Sequence, residues 1–446
     1  MMTHKRKGML CLAALLTATT TLAQQEGENQ LDVNLQMLGH GEMRLGGLDE
    51  KNVNSEGEPI KENDRAYFLM ERSRLSIDYK RTGLQTRITA QHSGVWGQKG
   101  QGNFNVYEAW AKLTMKNGLF GQIGRQALSY DDERIIGRND WAMAALSHDV
   151  LRLGYEGKQH KVHLILAYNQ NTENTYGGTY YSDGSQPYKT MHTLWYHYDV
   201  PRIPLGLSAT FMNIGMQGGE KDGTGDNEPR NRYQQLVGGY LSYNFWKLST
   251  EASYYHQLGR NEHNVKIDAW MASVKAKLQL DRHWGFHTGF DYLSGDDYFS
   301  VRDKGKMGLV QHKTIKYFNP VYGSHHKFYG MMDFFYVQNF TDGFSPGLQN
   351  LYAGVAYSPF HKLKLSATYH YLAMATKLEG LNMSLGHDID FEASYQILKD
   401  VNLSLGFSYM KSNDTMEKLK RADKNTDLKW AWFSLYVSPR IISKKW

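Results

Sequence analysis

Charged and strongly polar side chains recur at every second position along much of this chain. Arg72, Arg74, Ser76 and Asp78 form one such set, Gln85, Arg87 and Gln91 a second, and Glu108 and Lys112 a third. Arg152 follows, then Lys161 and His163, then Lys362, Lys364 and His370, and finally Asp388, Asp390 and Glu392. The residues between them are apolar: Tyr67, Leu69, Leu75, Ile77 and Tyr79 in the first stretch, Leu84, Thr86, Ile88 and Ala90 in the next, and Leu151, Leu153 and Tyr155 around Arg152. Period-two alternation places the two sets on opposite faces of a strand. A row of cations on one face sorts solutes by charge. If the apolar face meets lipid, turning the Arg and Lys residues outward would cost about 2–4 kcal/mol each at the bilayer midplane, so they must face an enclosed lumen. The candidate pore-lining residues are Arg72, Arg74, Arg87, Lys112, Arg125, Arg152, Asp388 and Asp390. The wall is then basic on its first seven strands and acidic on the sixteenth, a transverse field whose basic side favours anionic solutes. Each charge taken singly has a plainer role as a brace. Arg72 and Arg74, for example, could pair with Asp78 or Glu108.

Such faces need strands that close on themselves. The alternating stretches continue to the C-terminus, as in Leu363–Tyr371, Val401–Tyr409 and Lys429–Val437. Short turn-rich connections such as Lys80–Gly83, Lys116–Gly118, Ser358–His361 and Leu398–Asp400 take turns with long ones, chiefly 46–64, 129–147, 170–187 and 296–347. Short turns on one side and long loops on the other predict an all-β chain forming a single transmembrane antiparallel barrel of the outer-membrane type. Both chain ends then lie on the periplasmic side, so the strand count is even. Reading His326–Tyr336 as part of the 296–347 connection, not as a strand, gives about eighteen strands. Residues 1–23 read as a cleaved signal peptide, with a basic start at Lys5-Arg6-Lys7, an apolar run from Gly8 to Ala18 and a small residue at Ala23. The barrel is expected over 24–446. The only Cys, Cys11, lies in that leader, which leaves no disulfide to expect.

The bulk numbers agree. A mean hydropathy of −0.58 is compatible with a barrel, because alternation hides the membrane band from the average. The 30 Tyr and 10 Trp suit aromatic girdles at two interfaces. The net charge of +6 includes the leader's three cations, so the remainder is too mildly basic for nucleic-acid binding. No cofactor motif and no metal-ligand spacing is present. A barrel enzyme of lipase or protease type would need a nucleophile with its base at the outer rim. Gly343-Phe-Ser-Pro-Gly347 matches Gly-x-Ser-x-Gly but precedes a predicted strand where that motif requires a helix. The reading is therefore a channel and not an enzyme. A secreted saccharide-binding protein is the third alternative.

Two connections carry more than solvent-facing loops need. Arg125–Arg138, followed by Asn139-Asp-Trp141, is rich in Arg and carboxylates, and such a loop can fold inward and narrow a pore. In 296–347 the run from Phe328 to Tyr336 is too apolar for a free surface loop, and is expected to tuck into the lumen or cap it by packing.

These segments also carry a likeness. Gly124-Arg-Gln126, Asp140-Trp141 and Asp149-Val-Leu-Arg-Leu153 resemble motifs of the alginate-export family, as do Ser324-His-His-Lys-Phe-Tyr-Gly330 with Asp333, and Gly386-His-Asp-Ile-Asp390. The resemblance implies an eighteen-stranded outer-membrane barrel with a narrow, Arg-lined, anion-selective pore, and Arg125 and Arg152 match Arg positions in the family's motifs. Where the family has an acidic residue after the first Arg, this chain has Gln126. The expected function is passive, porin-like passage of an acidic saccharide or related anionic solute through the outer membrane of a Gram-negative bacterium. The expected partners are outer-membrane lipid and periplasmic export or import proteins.

Overall fold

The computed structural model describes residues 28–46, 65–100, 102–170, 188–221, 227–296, 314–335, 345–378, 380–420 and 427–446. The expected leader lies outside the described residues. Strands run over Gln30–Leu45 (β1), Arg65–Arg81 (β2), Leu84–Val95 (β3), Asn103–Thr114 (β4), Leu119–Gln126 (β5), His148–Glu156 (β6) and His160–Tyr168 (β7). They continue over Thr190–Asp199 (β8), Leu205–Lys221 (β9), Asn227–Phe245 (β10), Leu248–Arg260 (β11), Lys266–Gln279 (β12) and Trp284–Leu293 (β13). After a two-residue strand, Thr314–Ile315 (β14), come Leu348–Phe360 (β15), Leu363–Ala373 (β16), Ser384–Leu398 (β17), Val401–Ser412 (β18), Asp427–Val437 (β19) and Arg440–Lys445 (β20). Among the described residues, a short helix, Asp414–Lys420 (α1), lies between β18 and β19.

Consecutive long strands pair antiparallel, and β19 returns to β1 from Met37↔Val437 to Leu45↔Lys429. The result is a closed eighteen-stranded barrel made of β1–β13 and β15–β19. The other two strands are accessory. β14 lies parallel to the start of β12, and β20 prolongs the closing strand by pairing with Gln30–Asn34 of β1. Between β19 and β20, Pro439 has no N–H to give the ladder, but its carbonyl still accepts from Leu35 N–H at 3.1 Å. Asn29 and Trp446 exchange backbone hydrogen bonds at 2.9 and 3.0 Å, so the seam is tied to its last residue.

The alternation translates directly into faces. On β2, Tyr67 is 64% exposed and Arg72 1%; on β3, Ile88 is 58% exposed and Gln91 0%. A bulge opposite Thr89 and Ala90 inserts an extra residue in β4, so adjacent Tyr107 and Glu108 are both buried. The segment expected to stay out of the barrel wall does so. His325–Lys327 is a single 3₁₀ turn, and irregular chain follows it to residue 335.

The inward set differs from expectation in one respect. Toward the outer ends of β7–β13 it is apolar: Ile165, Met191, Met212, Ile214, Leu236, Ile267 and Met271 are all at most 5% exposed. They form one cluster with Leu128, Ile135, Ile136, Phe318, Tyr322, Tyr329, Met332 and Phe335 from the long connections. Burying such a side chain is worth about 1.5–3 kcal/mol. The barrel thus has a hydrophobic core in its lumen, built from wall and loops together.

Candidate solute-binding lumen

Two segments build the interior, residues 127–147 between β5 and β6 and residues 314–335 between β13 and β15. They pair with each other. Gly137 N–H donates to Tyr322 O at 2.8 Å, Tyr322 N–H to Ile135 O at 3.1 Å, and Ser324 N–H to Glu133 O at 2.8 Å. The Ser324 hydroxyl accepts from Asn139 N–H at 2.8 Å, and Lys327 pairs with Glu133. The approach is close enough to require glycine. A Cβ on Gly137 would lie 2.4 Å from Ser324 Oγ, and one on Gly323 would lie 2.2 Å from Arg134 O. Farther along, the His326 ring stacks on Trp141 at 3.8 Å with planes 7° apart, while its Nδ1 lies 2.8 Å from the Asp333 carboxylate. Several residues here hold left-handed backbone without being glycine, including Ala145, Val321 and Tyr329. Each costs about 1–3 kcal/mol, which the surrounding contacts must offset.

Arg134 fastens both segments to the wall. Its side chain is 1% exposed and meets Asp291 of β13 at 3.1 Å and Asp132 at 3.2 Å. It donates to Tyr329 Oη at 2.9 Å and to Ser273 Oγ at 3.1 Å, and lies 4.0 Å from the Phe328 ring centre. Burial alone would depress the guanidinium, but Asp291, Tyr329 and Asp132 outweigh it and hold the charge above its ordinary range. On the neighbouring wall Asp131 accepts from Ser208 Oγ at 2.6 Å and Trp195 Nε1 at 3.2 Å. Burial pushes its carboxyl up, against these two donors.

The expected basic residues divide into anchors and braces. Arg72 donates to the carbonyls of Asp140 and Ala142 at 2.9 and 3.2 Å. Arg74 meets the Asp140 carboxylate at 2.7 Å and lies 3.8 Å from the Tyr107 ring centre. Both therefore hold the inward loop, and Asp78 and Glu108 pair with Arg87 instead, at 2.5 and 3.3 Å. Lys112 pairs with Glu156 at 3.1 Å. Arg152 points inward, donating to Gln122 Oε1 at 2.5 Å. Arg125 does not face the lumen. It is the penultimate residue of β5, where alternation buries Gln122 and Gln126 inside and leaves Ile123 63% exposed outside. On that outer face Arg125 forms a two-pronged pair with Asp149 at 2.8 Å for both bonds.

The interlocked segments leave cavities against two parts of the wall. One, of about 470 Å³, lies against β1–β4 and is lined by Arg74, Arg87, Arg138, Asp78, Glu108 and Asp140. Arg138 projects from the inward loop, is exposed, and has no carboxylate within ion-pair distance among the described residues. It was not among the residues singled out from the sequence, although it closes the Arg-rich loop segment noted there. The other cavity, about 370 Å³, lies against β12–β17 and is lined by Lys275, Lys277, His287, Tyr352, Asp390 and Glu392 among others. Gly289 and Gly354 face inward, with the Tyr352 and His287 rings laid over them so closely that a Cβ would sit 2.3 and 2.4 Å from ring atoms or hydroxyl.

Asp388 and Asp390 are 2% and 4% exposed and hold the loop to the wall, Asp390 at the edge of the second cavity. Asp390 accepts from Met331 N–H at 3.0 Å and from the Ser408 hydroxyl. Asp388 Oδ2 stands where a Cβ on Gly330 would be only 2.6 Å away, and Gly330 itself has φ +89°. Gly330→Ala therefore meets both a clash and a strained backbone. It is expected to destabilise the folded barrel by about 1–3 kcal/mol, read as an earlier heat-modifiability transition, with Ser366→Ala as the neutral control. An unchanged transition would show that the loop is not held at Asp388. Ser345, the Ser of the Gly-x-Ser-x-Gly string, is fully buried. Its hydroxyl accepts from Gly347 N–H, and a strand follows it.

The family described as alginate export matches residues 84–426. No curated protein matches the chain significantly. Among solved structures, the barrel is similar to Pseudomonas aeruginosa OccK2 (OpdF), with a TM-score of 0.60 and 10% identity over 92% of this chain and 98% of that one. It is also similar to OccK5 (OpdH) of the same organism, at 0.58 and 11% over 92% and 98%. OccK2 has been solved in complex with glucuronate, at 0.58 and 11% over the same shares. At these identities the likeness is one of fold.

Proposed function

Since the chain belongs to the alginate-export family of outer-membrane β-barrels, we propose that it is a passive, anion-preferring channel of a Gram-negative outer membrane for an acidic saccharide or a related small solute. The observation that carries this reading is Arg138, an exposed guanidinium set on a loop inside the lumen and facing a cavity that Arg74 and Arg87 also line. The other two arginines are committed to carboxylates, so of the three Arg138 is the one that, among the described residues, stays free to meet a passing carboxylate. A bidentate fork of this kind suits a uronate better than a neutral sugar. The inward loops reduce the lumen to cavities of a few hundred Å³, the scale of short saccharides. The relative OccK2, crystallised with the acidic sugar glucuronate, supports the same class of solute. As a channel, the chain needs no cofactor and no catalytic residues.

The test is single-channel recording of refolded protein in a planar bilayer under a salt gradient. The expected result is a reversal potential on the chloride side, with current blocked by uronate oligosaccharides and not by neutral ones of equal length. Cation preference, or equal block by neutral and acidic sugars, would overturn the reading.

A further inference from the structure

The outward face of the barrel carries a feature that passage through the lumen does not use. An apolar groove of about 700 Å³ lies across β1 and its neighbours, lined by Gly41, Met43, Leu69, Trp96, Leu405 and Phe433. Register fixes what stands around it. Gly41 pairs with Phe433 on one side and Leu69 on the other, Met43 with Ala431 and Tyr67, and Leu45 with Lys429 and Arg65. Successive rows on one face are about 7 Å apart, so the row holding two cations stands one pleat repeat beyond the groove.

Lys429 and Arg65 share the parity of the apolar outward residues and are exposed. Lys411, also exposed, lies on β18 beside them. Because β1 runs toward the long 46–64 connection, these cations are at the outer end of the barrel. The nearby outward carboxylates are occupied. Asp427 accepts from Tyr409 Oη at 2.7 Å, and Glu71, beside the groove, lies 3.4 Å from His92 Nδ1. Among the described residues no carboxylate comes within ion-pair distance of Arg65, Lys411 or Lys429.

We propose that this face seats one phosphorylated, multiply acylated glycolipid of the outer leaflet, with an acyl chain in the groove and its phosphate between Arg65 and Lys429. An apolar surface turned to lipid needs no special occupant, but one with two cations a single pleat above it, neither in reach of a carboxylate among the described residues, does. Those cations stand at headgroup level, where a phosphate offers charge-assisted hydrogen bonds. A glycolipid joins phosphate and chains rigidly enough to satisfy both at once. The proposal rests on the outer-membrane reading but not on what crosses the lumen.

The experiment is native mass spectrometry of the delipidated barrel in detergent, titrated in turn with rough lipopolysaccharide, with its dephosphorylated form and with phosphatidylglycerol. One bound lipopolysaccharide is expected. Affinity should fall by about tenfold or more in an Arg65→Glu/Lys429→Glu double variant, and comparably in Ala431→Trp, which fills the groove. Heat-modifiability confirms that each variant is folded. Undiminished binding by both variants, equal binding of the dephosphorylated lipid, or equal binding of phosphatidylglycerol would overturn the assignment. Conductance recorded on the same double variant should be unchanged, so failure of this site and failure of the channel reading are separate outcomes.

Discussion

Replacing Arg134 with Ala is expected to release the interior of the barrel and raise single-channel conductance several-fold. The side chain is the point where both inward segments meet the wall. Its removal leaves Asp132 and Asp291, which are 9% and 2% exposed at the side chain, buried without their shared counter-charge. Breaking a buried ion pair from one side costs about 3–5 kcal/mol, comparable to much of a domain's net stability. The strands have their own closed ladder, so the loss should fall on loop docking and not on the barrel. Two measurements check this: bilayer conductance, and limited proteolysis within residues 127–147 and 314–335. Unchanged conductance together with a lower unfolding temperature would show that the loops stay in place without the arginine. Arg134→Met is the informative companion, since it keeps volume and still strands the carboxylates.

The second large effect is on selectivity. Arg138→Glu is expected to abolish or reverse the anion preference while leaving the unfolding temperature within about 0.5 kcal/mol equivalents of the parent, because a surface change away from any pair does little to stability. The same replacement at Arg87 differs. There the guanidinium holds Asp78 and Glu108, so a carboxylate would put three like charges together and lower stability as well as selectivity. Reversal potentials and melting curves for the two variants, side by side, separate a residue that meets solute from one that braces the wall. An Arg138→Glu channel that keeps its chloride preference would move the selecting charge elsewhere, with Arg152 the next inward cation to replace.

The wall could be read in the sequence because strand alternation is a local property. Once Tyr67 and Ile88 are taken to face lipid, Arg72 and Gln91 follow with no knowledge of the rest of the chain. Parity does similar work for the run His326–Tyr336, whose exclusion from the wall follows from both ends having to emerge on one side. What the charges do depends on which loop reaches them, and that is decided by contacts far apart in sequence. Nothing local distinguishes Arg72, which grips two loop carbonyls, from Arg87, which grips its neighbours. Arg125 shows the same limit in reverse. Its side of the strand is set by two residues of alternation past Ile123, and the Arg-rich run that follows pulled it into the reading of the loop. Arg134 does not stand out among the charges around it, although a signal is present. Leu128, Ile135 and Ile136 flank it, and an outer loop in water has no use for three aliphatic side chains so close together. The inward Met and Ile residues of β7–β13 carry the matching sign on the wall. An apolar inner face announces that something packs there.

The placement of Trp141 bears on how such a barrel is assembled. The ring lies edge-on to His40 of β1 and to Trp432 of β19, at 5.0 and 4.9 Å, and so touches both sides of the seam where first and last strands join. Its loop is gripped from β2 by Arg72 and Arg74. Half of this socket comes from β19, the strand that closes the barrel, so the loop cannot reach its final seat until β19 has come round to β1. Docking and closure become a single late step, of high sequence separation and hence slow. Until then the apolar inner surface waits unfilled. The indole, set between Trp430 and Trp432, would report the moment the ring of strands becomes complete.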